Sequence, residues 1–263
     1  MARNAGLSPE GTSSIWTVDF ETSCKLRFMT RRRWIADEFS DNQAALTGEH
    51  ADHLVHVLRA RVGQEFDVSA GDVVRRGRIV RISPDRVEFE LGEEIASANS
   101  ANITVLLAIF KFDRMEWAIE KCTELGVTRI VPVVTRRCDS HLVAAGSRRL
   151  VRWGRLAHQA SEQSRRHAPP PIDSPTKLKD AIALPGAQRI VLAETESHNS
   201  LRDVLQPLDG QVLLAIGPEG GWVEEELKLF QDSGWIAASL GPTILRAETA
   251  AIAAVAIAVA QLA

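Results

Sequence analysis

The chain has 263 residues, 45% hydrophobic and 25% charged, close to the globular average, which excludes a disordered or low-complexity protein. Its formal net charge is −3, so nucleic-acid binding requires a local basic patch, not bulk charge. Three widely spaced cysteines, Cys24, Cys122 and Cys138, form no CxxC pair and read as reduced thiols of a cytoplasmic protein.

Residues 1–28 mix Ser, Thr, Gly and Asn without a period and contain no continuous apolar stretch of a signal peptide. They read as a flexible extension ahead of a second methionine, Met29. From Arg33 to about Ile95 the pattern is short strands and turns around one helix. That helix, Glu49–Arg59, places Leu54, Val57 and Leu58 on one face. Gln64–Val68, Val73–Ile82 and Arg86–Leu91 alternate, with breaks at Ala70-Gly71-Asp72 and Ser83-Pro84-Asp85. A small β-rich domain over 29–96 is expected, followed by a polar small-residue linker, Ala96–Asn102.

After the linker the rhythm changes. Ile103–Phe110, Arg129–Val134, Arg189–Ala193, Val212–Ile216 and Trp235–Leu240 are short Val/Ile/Leu-rich runs separated by helical patterns. This predicts an α/β domain over 103–263 with a parallel sheet buried on both faces. Its first helix opens on a capping-box pattern, Asp113-x-x-Glu116, turns Met115, Ala118, Ile119 and Cys122 inward and stops at Gly126. The longest apolar run, residues 250–260, has eleven residues, well short of the roughly 20 that a membrane helix needs.

Three segments are candidates for chemistry. Gly217-Pro218-Glu219-Gly220-Gly221-Trp222 follows a buried strand and opens a helix whose first turn holds Glu224, Glu225 and Glu226. Glycines there let backbone approach a ligand, and the carboxylates disfavour a phosphate at the helix start. A neutral or cationic ligand fits, and so does a plain strand-to-helix turn. A second glycine-proline turn, Leu240-Gly241-Pro242, leads to Arg246 and Glu248 at the start of an alanine-rich helix. The third segment is a basic helix, Ser147–Arg166, with Leu150, Trp153, Ala157 and Ala160 on one face and Arg148, Arg152, Arg155, Gln159, Glu162 and Arg166 on the other. Eight arginines face two acids between Arg136 and His167, a one-signed run better suited to a phosphate backbone than to solvation alone.

Other chemistries find no support. His50, His53 and His56 recur every third residue and drift around a helix without a fourth ligand nearby, so no metal is expected. There is no GxGxxG, no Walker loop and no GxSxG elbow.

Lys111-Phe112-Asp113-Arg114-Met115-Glu116-Trp117 with Glu120-Lys121-Cys122-Thr123-Glu124-Leu125-Gly126-Val127, then Gly217-Pro218-Glu219-Gly220-Gly221, then Leu240-Gly241-Pro242 with Leu245-Arg246-Ala247-Glu248-Thr249-Ala250, occur in that order. Together they resemble the bacterial 16S rRNA uridine N3-methyltransferase family, in the SPOUT class of S-adenosylmethionine enzymes. The resemblance covers about residue 31 to the C-terminus. It implies a PUA-like RNA-binding domain, an α/β domain with a deep trefoil knot, and a homodimer whose active site is shared between subunits. It assigns the cofactor to Gly217, Glu219, Gly220, Gly221, Leu240, Gly241, Ile244 and Leu245, with Leu192 from a preceding strand, and leaves Glu194–His198 unassigned. The small-residue helix Thr249–Ala260 suits the subunit interface.

The acceptor N3 of uracil becomes nucleophilic only when its proton leaves, which calls for a base or for a cation that holds the uracil anion. Arg246 suits the second role, and Glu248 or Glu162 the first or the orientation of Arg246. Arg31, Arg32, Arg33 and Arg59, with Arg148, Arg152, Arg155, Arg165 and Arg166, are the expected RNA contacts. The expected partners are 16S rRNA or the assembled small subunit. A tRNA-directed SPOUT methyltransferase and a non-catalytic ribosome-assembly protein are the alternatives.

Overall fold

A computed structural model describes residues 33–71, 73–95, 101–206 and 210–262. The extension, Arg31, Arg32, Cys24 and most of the linker lie outside the described residues. The remainder, from residue 33 onward, belongs to one compact unit.

The N-terminal part is a six-stranded sheet of β1 (Arg33–Ile35), β2 (Glu38–Phe39), β3 (Gln43–Thr47), β4 (Glu65–Ala70), β5 (Val73–Ser83) and β6 (Arg86–Ile95), in the order β1-β4-β5-β6-β3-β2. Only β1 and β4 run parallel. Alternation along the long strands sends Val74 and Ile79 of β5 and Val87, Phe89 and Leu91 of β6 into a core with Trp34, Leu46, Leu54 and Val68. Two register shifts between β5 and β6, at Arg75/Gly77 and Ile79/Arg81, bend this hairpin.

The expected helix over 49–59 takes a different form. A short α1 (Gly48–Asp52) widens into a π turn over His53–Val57. The wider pitch keeps Ala51 and Leu54 in the core and rotates Val57 and Leu58 out to solvent, so the three-residue apolar face does not form.

The second part is an entirely parallel sheet: β7 (Ile103–Ala108), β8 (Arg129–Val134), β9 (Thr176–Lys177), β10 (Gln188–Leu192), β11 (Val212–Ile216) and β12 (Ile236–Ala238), ordered β12-β10-β11-β7-β8-β9. The helices are α2 (Phe112–Glu124), α3 (Ser140–Gln163), α4 (Leu178–Ala181), α5 (Leu201–Val204), α6 (Glu224–Asp232) and α7 (Ala247–Leu262). The two faces of the sheet bury separate cores. Ile103, Val105 and Leu107 pack with Met115, Trp153 and Ala251, while Leu106, Val131 and Leu213 pack with Trp222, Phe230 and Trp235. Burial on both faces is why these strands read as continuous apolar runs.

In α2 the inward set Met115, Ala118, Ile119 and Cys122 is buried as expected, and Gly126 ends the helix at φ +105°. The capping box does not form. Lys111 is the N-cap, without a side-chain cap, and Asp113 sits inside the first turn. Glu116 instead receives Arg149 and Arg152 of α3, at 3.2 and 2.8 Å. α3 begins earlier than expected, where Asp139 accepts from the His141 N–H.

The two parts meet where the Arg33 guanidinium donates to the Arg165 carbonyl and the Ser69 hydroxyl to the His167 carbonyl. Packing in the first sheet is tight at Gly77, where an added Cβ would stand 2.5 Å from Val68 Cγ2. Gly77→Ala is therefore expected to cost about 1–3 kcal/mol in urea unfolding, as overpacked sites do. Gly154→Ala, on the open face of α3 with nothing within 4 Å of its Cβ position, should gain about 0.5–1 kcal/mol.

Candidate active site

An open cleft lies beyond the carboxyl ends of β10, β11 and β12, where parallel sheets place their ligands. Three loops wall it: 192–195, 216–222 and 238–245. Trp222 organises the middle one. Its indole N–H donates to the Leu192 carbonyl at 2.8 Å, and its ring stands 3.2 Å from the position of a Gly217 Cβ, so a side chain at 217 would press on the indole. The ring packs edge-on against Phe230 at 4.9 Å, and Phe230 against Trp235 at 5.1 Å. Glu226 holds the same loop from below. One carboxylate oxygen accepts from the Val223 N–H at 3.1 Å and the other from the Arg136 N–H at 2.8 Å. One of the three acidic residues at the start of α6 is thus turned inward and already satisfies the backbone there.

The cavity collects Leu192, Gly217, Glu219, Gly221, Leu240, Gly241, Ile244 and Leu245 from the expected set, with Ile244 82% exposed at the rim. Gly220 is not among the lining residues. A Cβ there would face the stem of Arg137, whose guanidinium donates to the Gly220 carbonyl. Gly221 is the constrained position, at φ +70° with its Cβ site 3.1 Å from Glu194 Oε1. Glu194 and Thr195, which carried no assignment in the sequence, form a wall of the cavity. Their one sequence signal is their place directly after a buried strand.

Glu194 and Glu219 are the charged groups of the lining, and no basic side chain joins them among the described residues. Glu219 is held from outside by Arg114 at 3.2 Å, and Arg114 Nε also reaches Glu248 Oε1 at 3.8 Å. Glu248 is only 4% exposed, and its second carboxylate oxygen has no hydrogen-bond partner among the described residues. Arg246, two residues before Glu248, is exposed and forms no ion pair among the described residues. Its carbonyl accepts from Ala250 N–H as α7 begins.

Glu162 is not at the glycine turns. The arginine-bearing face of α3 on which it was expected turns inward at this position. It is 7% exposed and lies in a separate cleft between the first sheet and α3.

The basic segment divides. Arg148 and Arg155 are exposed. Arg149 and Arg152 share Glu116, and the Arg149 guanidinium also covers the Phe112 ring at 4.7 Å. Arg166 donates to the Thr123 carbonyl at 2.9 Å, and burial lowers its pKa. Arg165, at φ +60°, gives its carbonyl to Arg33. Arg33 is half-buried, and desolvation lowers its pKa, partly offset by Asp67. Arg59 is exposed at φ +54°. Cys122 is sealed in the core, where burial pushes its thiol up to about 12, which removes it as a nucleophile.

Residues 97–259 match the RNA methyltransferase domain family and residues 46–92 the RNA methyltransferase PUA domain. The chain is 31% identical to ribosomal RNA small subunit methyltransferase E of Rickettsia conorii, covering 86% of this chain and 93% of that protein. The Synechocystis protein of the same name is 30% identical over 93% of this chain and 82% of its own length. Among solved structures, ribosomal RNA small subunit methyltransferase E from Neisseria gonorrhoeae, bound to S-adenosyl methionine, is 29% identical. It superposes with a TM-score of 0.76 over 86% of this chain and 95% of that one.

A side chain at 221 must adopt a left-handed backbone and displace Glu194. Gly221→Ala is expected to destabilise the chain by about 1–2 kcal/mol in urea unfolding. Gly220→Ala should be near neutral by the same measurement, because the flexible Arg137 stem can move aside.

Proposed function

The chain belongs to the ribosomal RNA small subunit methyltransferase E family and is an RNA methyltransferase, and we propose that it transfers the methyl group of S-adenosylmethionine to N3 of a uridine in 16S rRNA. The observation that carries this reading is a cavity built on glycine turns whose lining, among the described residues, holds two carboxylates and no basic side chain. Such a lining repels phosphate and suits a cationic ligand. The apolar surfaces of Ile216, Leu227, Leu240 and Leu245 offer walls for a flat base. The residues present therefore fit S-adenosylmethionine, which supplies an electrophilic methyl group on a sulfonium centre when bound. Leu192, Gly217, Glu219, Gly221, Leu240, Gly241, Ile244 and Leu245 would hold it.

The chain's own side chains prepare the acceptor. Uracil N3 attacks once its proton has passed to solvent water, and Arg246, exposed beside the cavity, holds the resulting anion. Glu248 and Arg114 act behind it by fixing Glu219. A base at N3 is reached only in an unpaired or flipped nucleotide. Arg59, Arg148 and Arg155 supply exposed positive charge for the phosphate backbone. Acting on ribosomal RNA, as a free strand or in the assembled subunit, implies a cytoplasmic location, and none of the described helices is long and apolar enough to cross a membrane.

The same reading includes an N-terminal RNA-binding domain over 29–96, a catalytic domain over 103–263 with a trefoil knot, and a homodimer. Supporting the dimer, α7 uses Ala247, Ala251, Ala254 and Ala258 against its own core. Its other side leaves an apolar groove against α2, lined by Trp117 (47% exposed), Leu125, Ile252 and Ala253. A second copy is the occupant proposed for it.

Incubation with labelled S-adenosylmethionine and 16S rRNA, small subunits or tRNA, followed by mapping of the modified base, tests the assignment. Label at a uridine N3 of 16S rRNA is expected; label confined to tRNA, or cofactor binding without transfer, would overturn it. Arg246→Ala should lower turnover by about 10²-fold at saturating substrates. Arg148→Ala and Arg155→Ala should instead weaken RNA binding, reducing its salt slope by about one unit per lost phosphate contact. Light scattering should give twice the chain mass, falling to one chain in Ile252→Asp.

A further inference from the structure

The three histidines spaced along α1 and the π turn go to different partners. His53 meets the Trp34 ring edge-on, and His56 lies 3.7 Å from Asp52. His50 crosses to α3. Its ring stacks on that of His158, with centroids 4.7 Å apart and planes 10° apart. Glu162 stands one turn further along α3, and residues four apart share a helix face. One ligand-type atom from each of His50, His158 and Glu162 lies within 4.8 Å of the other two.

We propose that His50, His158 and Glu162 form a binding site for a divalent transition-metal ion of the zinc class, which ties the first sheet to α3. Two imidazoles and one carboxylate are a donor set for zinc, cobalt or nickel, with a water completing the coordination. The arrangement around the three supports this. Asp37 Oδ1 lies 2.9 Å from His50 Nδ1, the carboxylate–histidine contact that orients a ligating ring and leaves Nε2 free to coordinate. His158 Nδ1 is out of solvent and has no hydrogen-bond partner among the described residues.

Tetrahedral zinc sets ligand atoms about 3.4 Å apart, so the group contracts by roughly an ångström on loading. Loading the site requires His158 and Glu162 to rotate about their side-chain bonds. The cleft shares no lining residue with the cavity at the glycine turns, so this is a second site on the molecule.

The test uses the full chain, stripped with a chelator and dialysed. Zn²⁺ is titrated by calorimetry, and Co²⁺ by its visible absorption. One equivalent per chain is expected, with a rise in Tm on Zn²⁺ addition because the ion binds only the folded state. His50→Ala and His158→Ala should each weaken Zn²⁺ at least about 100-fold and abolish the Tm shift. Asp37→Asn should weaken it by about 10–100-fold, the usual effect of losing an orienting carboxylate. His141→Ala, at the far end of α3, should bind as the wild type does. Asp37 is exposed, so its variant remains informative even where a histidine variant fails to fold. Absence of saturable binding to the wild type, wild-type affinity in Asp37→Asn, or wild-type affinity in both histidine variants would overturn the proposal.

Discussion

The hydrogen bond from the Trp222 indole to the Leu192 carbonyl is the tie on which the cavity depends. Parallel strands end side by side, and the loops leaving β10 and β11 have no ladder to hold them once the sheet stops. A buried indole N–H usually finds an acceptor, and here the acceptor is the last carbonyl of the neighbouring strand. The rest of the ring takes the space that a side chain at 217 would occupy and rests on the Phe230–Trp235 stack. Trp235 in turn donates to the Ile182 carbonyl at 3.1 Å. The glycine turn is therefore braced by three aromatic rings, and its open side is free for a ligand.

Much of this was legible before any coordinates. Five apolar runs separated by helical patterns indicate a parallel sheet because burial on both faces erases alternation. The two glycine-proline turns converge because each follows a strand of that sheet. What the sequence conceals depends on contacts between distant segments. Asp113-x-x-Glu116 has the spacing of a capping box, yet Glu116 is drawn away by Arg149 and Arg152, some 33 and 36 residues on. Arg114, which joins Glu219 to Glu248, is one charged residue among many until α2 is docked beside α7. Helical periodicity also presumes a fixed pitch. The π turn at His53–Val57 breaks that assumption for Val57 and Leu58. At Glu162 the expected face failed because the first sheet covers the side of α3 that solvent would otherwise wet.

The basic run illustrates how charge counted along a chain differs from charge displayed on a surface. Arg149 and Arg152 are drawn to Glu116, and Arg166 caps the carbonyl end of α2. These arginines fasten α2 to α3 and to its C-terminal end. The remaining exposed cations are fewer but better placed, since they stand on a scaffold that the others have fixed.

The seam between the two halves has an asymmetry of a different kind. Its donors are side chains, Arg33 and Ser69, while its acceptors are the main-chain carbonyls of residues 165 and 167. A carbonyl is present whatever amino acid occupies the position. Substitution at 165, within the limits of its left-handed backbone, or at 167 therefore removes neither acceptor. Positions 33 and 69 have no such freedom. Among related chains, the imprint of these two hydrogen bonds should then lie almost wholly on the sheet side, unlike that of the His50–His158 stack, which needs a ring from each half.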